Sequence, residues 1–357
     1  MSTYTKFLTS TFLKSFFFTI GIFFSLVIIL NILTEIEFFK NNNVKFYFPI
    51  YLAILNSADM IFEMLPFILI ISTQLFFINI FNNNQIEIFK YSGLKNSEIV
   101  KIISINSFLI GIFVIFLFYS LSSNLKNVYL GIKNKFSTDQ KYLAVVTNNG
   151  LWIKDSVNEK KFIVHASRIE DNFLVNTFIS QFDINNKVVR HINSEKIDIS
   201  DNKWIVFEPI IYKDNIIEKK DILKIKLNFD YKKIQSLFSN LSSLSLVELF
   251  ELRSNYKQLN YSTIEVNLHI NKILTYPIYL LLMVILGSMI MLKIKKYKSN
   301  VFKISIGLFI SVIIYYLNNF FNIMGKSEKL PALFSIWTPL IILFLLNVLL
   351  SYKINEK

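Results

Sequence analysis

Residues 60–81 read MIFEMLPFILIISTQLFFINIF, and this stretch decides the class of fold. As a helix rising about 1.5 Å per residue it reaches across the roughly 30 Å of hydrocarbon in a bilayer. Fourteen of its residues are Leu, Ile or Phe. At about −0.3 to −0.6 kcal/mol each, they outweigh the about 3 kcal/mol cost of the one carboxylate, Glu63. The segment is expected to span a membrane despite its charge.

Five further segments share this character: Ser15–Thr34, Ile102–Ser123, Ile273–Leu292, Val301–Ile323 and Pro331–Leu350. Three spans therefore precede a polar middle and three follow it. The first is too long for a signal peptide, lacks a small-residue cleavage pattern and is followed by another span, so it reads as an uncleaved anchor. The whole chain agrees, with 357 residues, 53% of them hydrophobic. A mean hydropathy of +0.46 is too apolar for an ordinary soluble domain of that size.

The net charge of +13 taken alone suggests a nucleic-acid or anionic-surface partner. Its distribution says otherwise. Residues 124–265 hold 21 basic and 17 acidic side chains, and the rest hold 17 and 8, so the excess sits beside the spans. No nucleic-acid partner is expected. With an inside N-terminus, the inner short loops and ends hold twelve lysines: Lys6, Lys14, Lys90, Lys95, Lys101, Lys293, Lys295, Lys296, Lys298, Lys303, Lys353 and Lys357. The outer loops hold four, Lys40, Lys45, Lys326 and Lys329. The positive-inside bias places both termini in the cytoplasm and the polar middle outside. There is no cysteine, which excludes disulfides, thiolate metal sites and cysteine nucleophiles.

The polar middle reads as β-rich. The runs Tyr142–Thr147, Gly150–Lys154, Lys161–Ser167, Leu174–Phe182, Glu195–Ser200, Trp204–Tyr212 and Lys219–Leu227 alternate polar with β-branched or aromatic residues. Turn clusters such as Asn148-Asn149-Gly150, Asp183-Ile184-Asn185-Asn186 and Asp201-Asn202 separate them. Seven or eight short strands of this kind predict a sandwich or jelly roll. Ser245–Leu259 follows as a short amphipathic helix, with Ser245 as N-cap and Glu248 three residues on. The expected architecture is an α-helical membrane protein of six transmembrane helices with an inserted all-β jelly-roll-like domain. Its parts are residues 1–123, 124–243, 244–265 and 266–357.

Candidate sites are few. His165, His191 and His269 are scattered, with no metalloprotease or triad pattern, and read as structural or surface residues. Gly325-Lys326-Ser327 imitates the tail of a phosphate loop, but Phe320 stands where the first Gly belongs and no strand–loop–helix surrounds it. Asp59 and Glu63 lie one helical turn apart at the outer end of span two; they either share a cavity or sit solvated among headgroups. Glu35, Glu37 and Lys40 at the outer end of span one either line a substrate entrance or mark a wet loop boundary. The run Lys293–Lys298 reads most simply as a topology and anionic-lipid anchor, with a protein-docking role as the alternative. Between spans two and three, Gln85–Leu94 forms a short helix at residues 84–95, with Ile86, Phe89 and Tyr91 or Leu94 expected to be exposed and Gly93 able to end it in a left-handed cap. It either lies in the lipid interface or docks into a groove on a cytoplasmic partner.

This arrangement resembles the lipopolysaccharide-export permeases of the LptF/LptG family over essentially the whole chain. The most specific stretch is Leu244-Ser245-Leu246-Val247-Glu248-Leu249, then Leu268-His269-Ile270-Asn271-Lys272-Ile273 and Pro277. It is similar to the family's passage into span four. Gly325, Leu330-Pro331-Ala332 and Trp337 with Pro339 resemble the last loop and span. Lys272, Pro277, Pro331 and Trp337 are thus family-matching positions. Asn149 to Asp155 resembles the LptG branch more than the LptF branch. There are departures: Gln85 stands where the family usually has Glu, Ser57 where a Pro often precedes span two, and Thr34, Glu35 and Glu37 where some members carry a lipid-contacting basic residue.

The resemblance implies a permease half in the bacterial inner membrane, not an enzyme, which extracts lipopolysaccharide and passes it outward. It implies pairing with a paralogous subunit (LptF for an LptG-like chain), a cytoplasmic ATPase dimer that binds the ATP, and the periplasmic bridge proteins LptC and LptA. No cofactor of the chain's own is expected. Gln85, Glu87, Phe89, Gly93 and Leu94 are the implied ATPase-coupling residues. Glu35, Glu37 and Lys40 are the candidate lipid-cavity entrance, with spans one and five lining the cavity. Two other readings are weaker. A membrane sensor predicts a cytoplasmic signalling domain, for which Ser351–Lys357 leaves no room, and an intramembrane enzyme predicts clustered acids or histidines within the spans.

Overall fold

A computed structural model describes residues 3–40, 44–136, 151–157, 160–170, 172–184, 187–213, 216–231, 234, 240–258, 261–293 and 299–352. The expected run Tyr142–Thr147, the Asn148-Asn149-Gly150 turn, Asn185-Asn186 and the lysines at 295, 296 and 298 lie outside these residues. The helices are α1 (Thr3–Phe38), α2 (Tyr47–Asn82), α3 (Gln85–Tyr91), α4 (Asn96–Phe113), α5 (Tyr119–Asn134), α6 (Leu246–Gln258), α7 (Ile264–Lys293), α8 (Asn300–Lys326) and α9 (Ala332–Ser351). A π-helical turn, Val114–Phe118, joins α4 to α5. With α4 and α5 taken together, six helices among the described residues are long and apolar enough to cross a membrane. Several overrun their apolar cores: α1 and α2 are 36 residues each. Hydropathy marks only the length in hydrocarbon, whereas backbone hydrogen bonding continues into the polar zone.

Contacts divide the chain into two compact units, Met1–Tyr129 with Ile264–Lys357, and Leu130–Thr263. In the helical unit, α2 and α7 are central. Their apolar stretches are 67% and 72% buried, against 22% for both α1 and α8. Ile70 of α2, Met283 and Leu286 of α7, Ile314 of α8 and Leu343 of α9 form one apolar cluster. Lipid tails are as apolar as Leu, so close packing and hydrogen bonds must hold such helices together. Both are present. Gly111 of α4 lies against Pro277 of α7. Gly307 of α8 admits the Gln74 amide, which donates from Nε2 to the Lys303 carbonyl at 2.7 Å.

The second unit is an antiparallel sheet of eight strands: β1 (Leu151–Val157), β2 (Lys160–Glu170), β3 (Phe173–Phe182), β4 (Val188–Asp198), β5 (Lys203–Phe207), β6 (Ile210–Lys213), β7 (Ile216–Lys219) and β8 (Ile222–Lys226). The order is β1-β2-β3-β4-β5-β8, with β6 between β4 and β7. The sheet forks at β4, which pairs β5 through Lys196–Asp198 and β6 through His191–Asn193. Two expected strands are therefore corrected. Trp204–Tyr212 breaks into β5 and β6 because Glu208 takes a left-handed φ of 44° immediately before Pro209, which cannot donate to a ladder. Lys219–Leu227 is likewise the end of β7 and all of β8. The run placed at Glu195–Ser200 starts earlier, at Val188.

Period-two alternation builds the core of this unit. Ile153, Val164, Ile179, Ile192 and Ile211 stand in one cross-strand row, all buried. Trp204 is fully buried and its indole Nε1 donates to the Phe229 carbonyl at 2.7 Å. Buried Asp155 accepts from the backbone and side-chain amides of Asn228 at 2.7 and 2.9 Å. At the start of α6, Ser245 and Glu248 form the expected capping box, the Glu248 carboxylate accepting from Ser245 N at 2.8 Å.

Candidate functional site

Two places in the helical unit carry organised polar or exposed chemistry: α3 and the C-terminal end of α1. Helix α2 stops at Asn82, and Asn84 turns the chain with a φ of 53° so that α3 begins at Gln85. Helix α3 stops in a Schellman motif. The Gly93 amide donates to the Lys90 carbonyl at 3.0 Å and the Leu94 amide to the Phe89 carbonyl at 2.9 Å. Gly93 itself sits at a φ of 78°, a conformation that glycine adopts without a Cβ penalty. Glu87 in the first turn and Lys90 in the last complement the helix dipole.

The exposed side of α3 differs from the sequence expectation. Ile86 and Leu94 are buried, and Phe89 is half-buried with its ring 6.0 Å from that of Phe7 on α1. Gln85 is half-buried and Glu87 is exposed. The apolar residues that face outward are Ile88, 60% exposed, and Tyr91, 90% exposed. The reason is geometric. Ile86 and Phe89, three residues apart, share the helix side turned to the bundle, and the Schellman turn returns Leu94 to that side.

At the other place, polar side chains from α1, α2 and α5 join inside the bundle. The Lys126 ammonium lies 3.1 Å from the Asp59 carboxylate, with both side chains under 15% exposed. It also donates to Asn56 Oδ1 at 2.6 Å. Asn56 Nδ2 donates to Asn31 Oδ1 at 3.0 Å, and Asn31 Nδ2 donates to the Ser57 hydroxyl at 3.1 Å. Tyr129, whose ring centre is 5.3 Å from the Lys126 Nζ, donates its hydroxyl to Glu35 Oε1 at 2.7 Å. Ser57 is thus a member of the network.

This corrects the wet-boundary picture for two acids. Glu35 is only 1% exposed and Asp59 is ion-paired inside the bundle, while Glu37, Lys40 and Glu63 are exposed. Asn31, Asn56, Lys126 and Tyr129 went unread in the sequence. The available signal was a cation and a tyrosine three residues apart just past the assumed end of span three at Ser123, and an Asn four residues before Glu35 on α1.

The remaining sequence candidates are structural in place. His269 Nε2 pairs with the Tyr119 hydroxyl at 3.1 Å. Gly325-Lys326-Ser327 ends α8, so it offers helix carbonyls and not the amide N–H groups that hold phosphate. Lys326 there meets Glu265 at 2.6 Å. Gly325 leaves room for Ser335 and Leu268. Pro277 is buried in α7, Pro331 caps α9 by accepting from the Ser335 amide at 3.1 Å, and Lys272 and Trp337 are exposed. In the β unit, Tyr261 accepts from the Lys154 amide at 3.3 Å and donates to the Trp152 carbonyl. Burial pushes its hydroxyl above the ordinary tyrosine range and keeps it a donor.

No curated protein matches the chain. A family match takes in both sets of apolar helices and the antiparallel insert between them. The model described as "Lipopolysaccharide export system permease LptF/LptG" matches residues 6–353, so the chain belongs to that family: it is a multi-pass membrane permease subunit of lipopolysaccharide export, a transporter component and not itself a catalyst.

Proposed function

We propose that the chain is the LptG-type half of the permease, that it pairs with an LptF-type paralogue, and that it lies with both termini in the cytoplasm and its β unit in the periplasm. The twelve-to-four lysine bias of the short loops and ends supports this orientation. Helices α1 and α8 line the lipid cavity with their counterparts in the paralogue. Both keep wide apolar faces uncovered, with Phe17, Phe18 and Leu33 on α1 and Phe309, Tyr316 and Ile323 on α8 all at least 60% exposed. Glu37 and Lys40 stand at the cavity entrance.

Segment Gln85–Leu94 receives the ATPase dimer. The observation that carries this reading is the two-sidedness of α3: one side is anchored through Ile86, Phe89 and Leu94, and the other presents Ile88 and Tyr91. Closure of the ATPase then moves α3 and, through the Phe89–Phe7 contact, α1. Coupling of this kind needs a contact whose energy differs between the two ATPase states. Expelled lipid passes to the β unit, and an edge strand extends the path to LptC and LptA by strand addition. Strand β7 suits this, since it pairs only with β6 among the described strands and exposes Ile216 and Ile217.

The test is capture of the ATPase by the purified permease. Tyr91→Asp and Ile88→Asp are expected to abolish co-purification and lipopolysaccharide release, each anchor being worth about 2 kcal/mol. Retention of both by the double variant overturns the coupling assignment. Cysteines placed at Ile217 and at Tyr91 must label from opposite sides of the membrane, and labelling from one side overturns the orientation.

A further inference from the structure

The β unit has a second organised face besides its core. Cross-strand register sets Trp152 opposite His165, His165 opposite Phe178, Phe178 opposite Asn193 and Asn193 opposite Ile210. Five adjacent strands therefore turn these side chains to the face away from the Ile153–Val164–Ile179–Ile192 row. The rings touch: Trp152 and His165 have centres 4.4 Å apart, and Phe178 and His191 stack at 5.2 Å with planes 23° apart. A ladder that served only to stabilise the sheet would gain by covering its rings. Here Trp152 is 55% exposed, Phe178 39% and Tyr212, opposite His191, 38%.

This aromatic row runs into a cavity of about 840 Å³ at the fork of the sheet, within the roughly 300–1,000 Å³ of small-ligand sites. Phe178, Asn193, Ile210 and Lys219 line it, as does Thr177. Asn193 Oδ1, on the face of Phe178, is buried and has no hydrogen-bond partner among the described residues. Buried polar groups left in this state call for a ligand or water that satisfies them. Charge decides what kind. Glu195, Glu208 and Asp221 balance Lys196, Lys219 and Lys220 around the cavity. Two of the ammonium groups are already engaged, Lys196 over the Phe173 ring at 3.9 Å and Lys220 with Glu218 at 3.1 Å. A balanced, partly self-paired rim suits a neutral, hydroxyl-rich ligand better than a phosphate.

We propose that this face is a glycan-binding platform. Pyranose rings lay their weakly positive C–H faces on the negative ring faces of Trp152 and Phe178, and their hydroxyls satisfy Asn193 in the cavity. The same chemistry is offered by the sugar head of an exported glycolipid and by a cell-wall type glycan. The inference goes beyond the transport reading, because binding requires neither the ATPase nor the paralogue.

The experiment uses the full chain in lipid nanodiscs, titrated with deacylated lipopolysaccharide core oligosaccharide and separately with N-acetylated chitotetraose. At least one saccharide is expected to bind, with the strongest NMR saturation transfer on ring C–H protons. Trp152→Leu and Phe178→Leu, which keep apolar bulk and remove a ring, should each weaken binding about tenfold. Trp152→Phe should restore most of it. Preference for the core oligosaccharide identifies the transported lipid's head as the source, and preference for chitotetraose identifies a cell-wall glycan. Absence of binding by both saccharides, or affinities unchanged in both Leu variants, overturns the proposal. Either result leaves the coupling assignment standing, since that is read from ATPase capture.

Discussion

Gly111 of α4 and Pro277 of α7 meet at a crossing with no space between the helices: a methyl group built on Gly111 would lie 2.6 Å from the Pro277 Cα and 2.9 Å from its Cβ. Both helices are irregular near this point. Proline removes a helical donor from α7, and the π-helical turn at Val114–Phe118 begins three residues after Gly111. Gly111→Ala must push the helices apart and is expected to cost about 1–3 kcal/mol. Thermal unfolding in nanodiscs measures it, and an unchanged midpoint would show that the crossing yields freely.

Lys126 and Asp59 form an enclosed ion pair, with both side chains under 15% exposed. Lys126→Met strands the carboxylate in the bundle and is expected to lower stability by about 3 kcal/mol. The charge swap, Lys126→Asp with Asp59→Lys, should recover much of that loss. A swap no more stable than either single change would mean that the pairing is not the source.

Gln74 and Gly307 act as one contact. A Cβ at Gly307 would lie 2.1 Å from Gln74 Nε2, the atom that bonds the Lys303 carbonyl. Gly307→Ala displaces the amide and should cost about 1–3 kcal/mol. Combining it with Gln74→Ala should cost less than the two single changes summed, because both remove the same interaction. Strict additivity in denaturant titrations would refute the coupling.

Gly93 holds the left-handed position that ends α3. Gly93→Ala is expected to cost about 1–2 kcal/mol of local stability. Hydrogen exchange at the Gly93 and Leu94 amides should quicken and ATPase capture should weaken, whereas Ser92→Ala should leave both measurements close to wild type. Equal exchange rates in the two variants would show that the cap is not what positions α3.

Much of α3 was legible from its residues, and its facing was not. Asn82–Asn84 and Gly93 mark where the helix begins and ends, because backbone conformations are local. Seven residues make only two turns, and Ile86, Ile88, Phe89 and Tyr91 are distributed around them. Periodicity then cannot say which side meets α1. The strands behave alike. Alternation located β1 to β3 but only the last residues of β4, and although Pro209 lies in the run read as one strand, the residue at which β4 changes partner leaves no mark in the alternation.

The amino-acid sequence by itself determined six segments long and apolar enough to cross a membrane and their division by a β-rich insert, since each rests on composition summed over many neighbouring residues. Only the tertiary structure decided that Glu35 is buried beneath the Tyr129 hydroxyl, 94 residues away, that Lys126 neutralises Asp59, and that Ile88 and Tyr91 face outward. Those outcomes depend on which helix faces touch. That is settled by close packing between segments far apart in the chain, and no local pattern carries it.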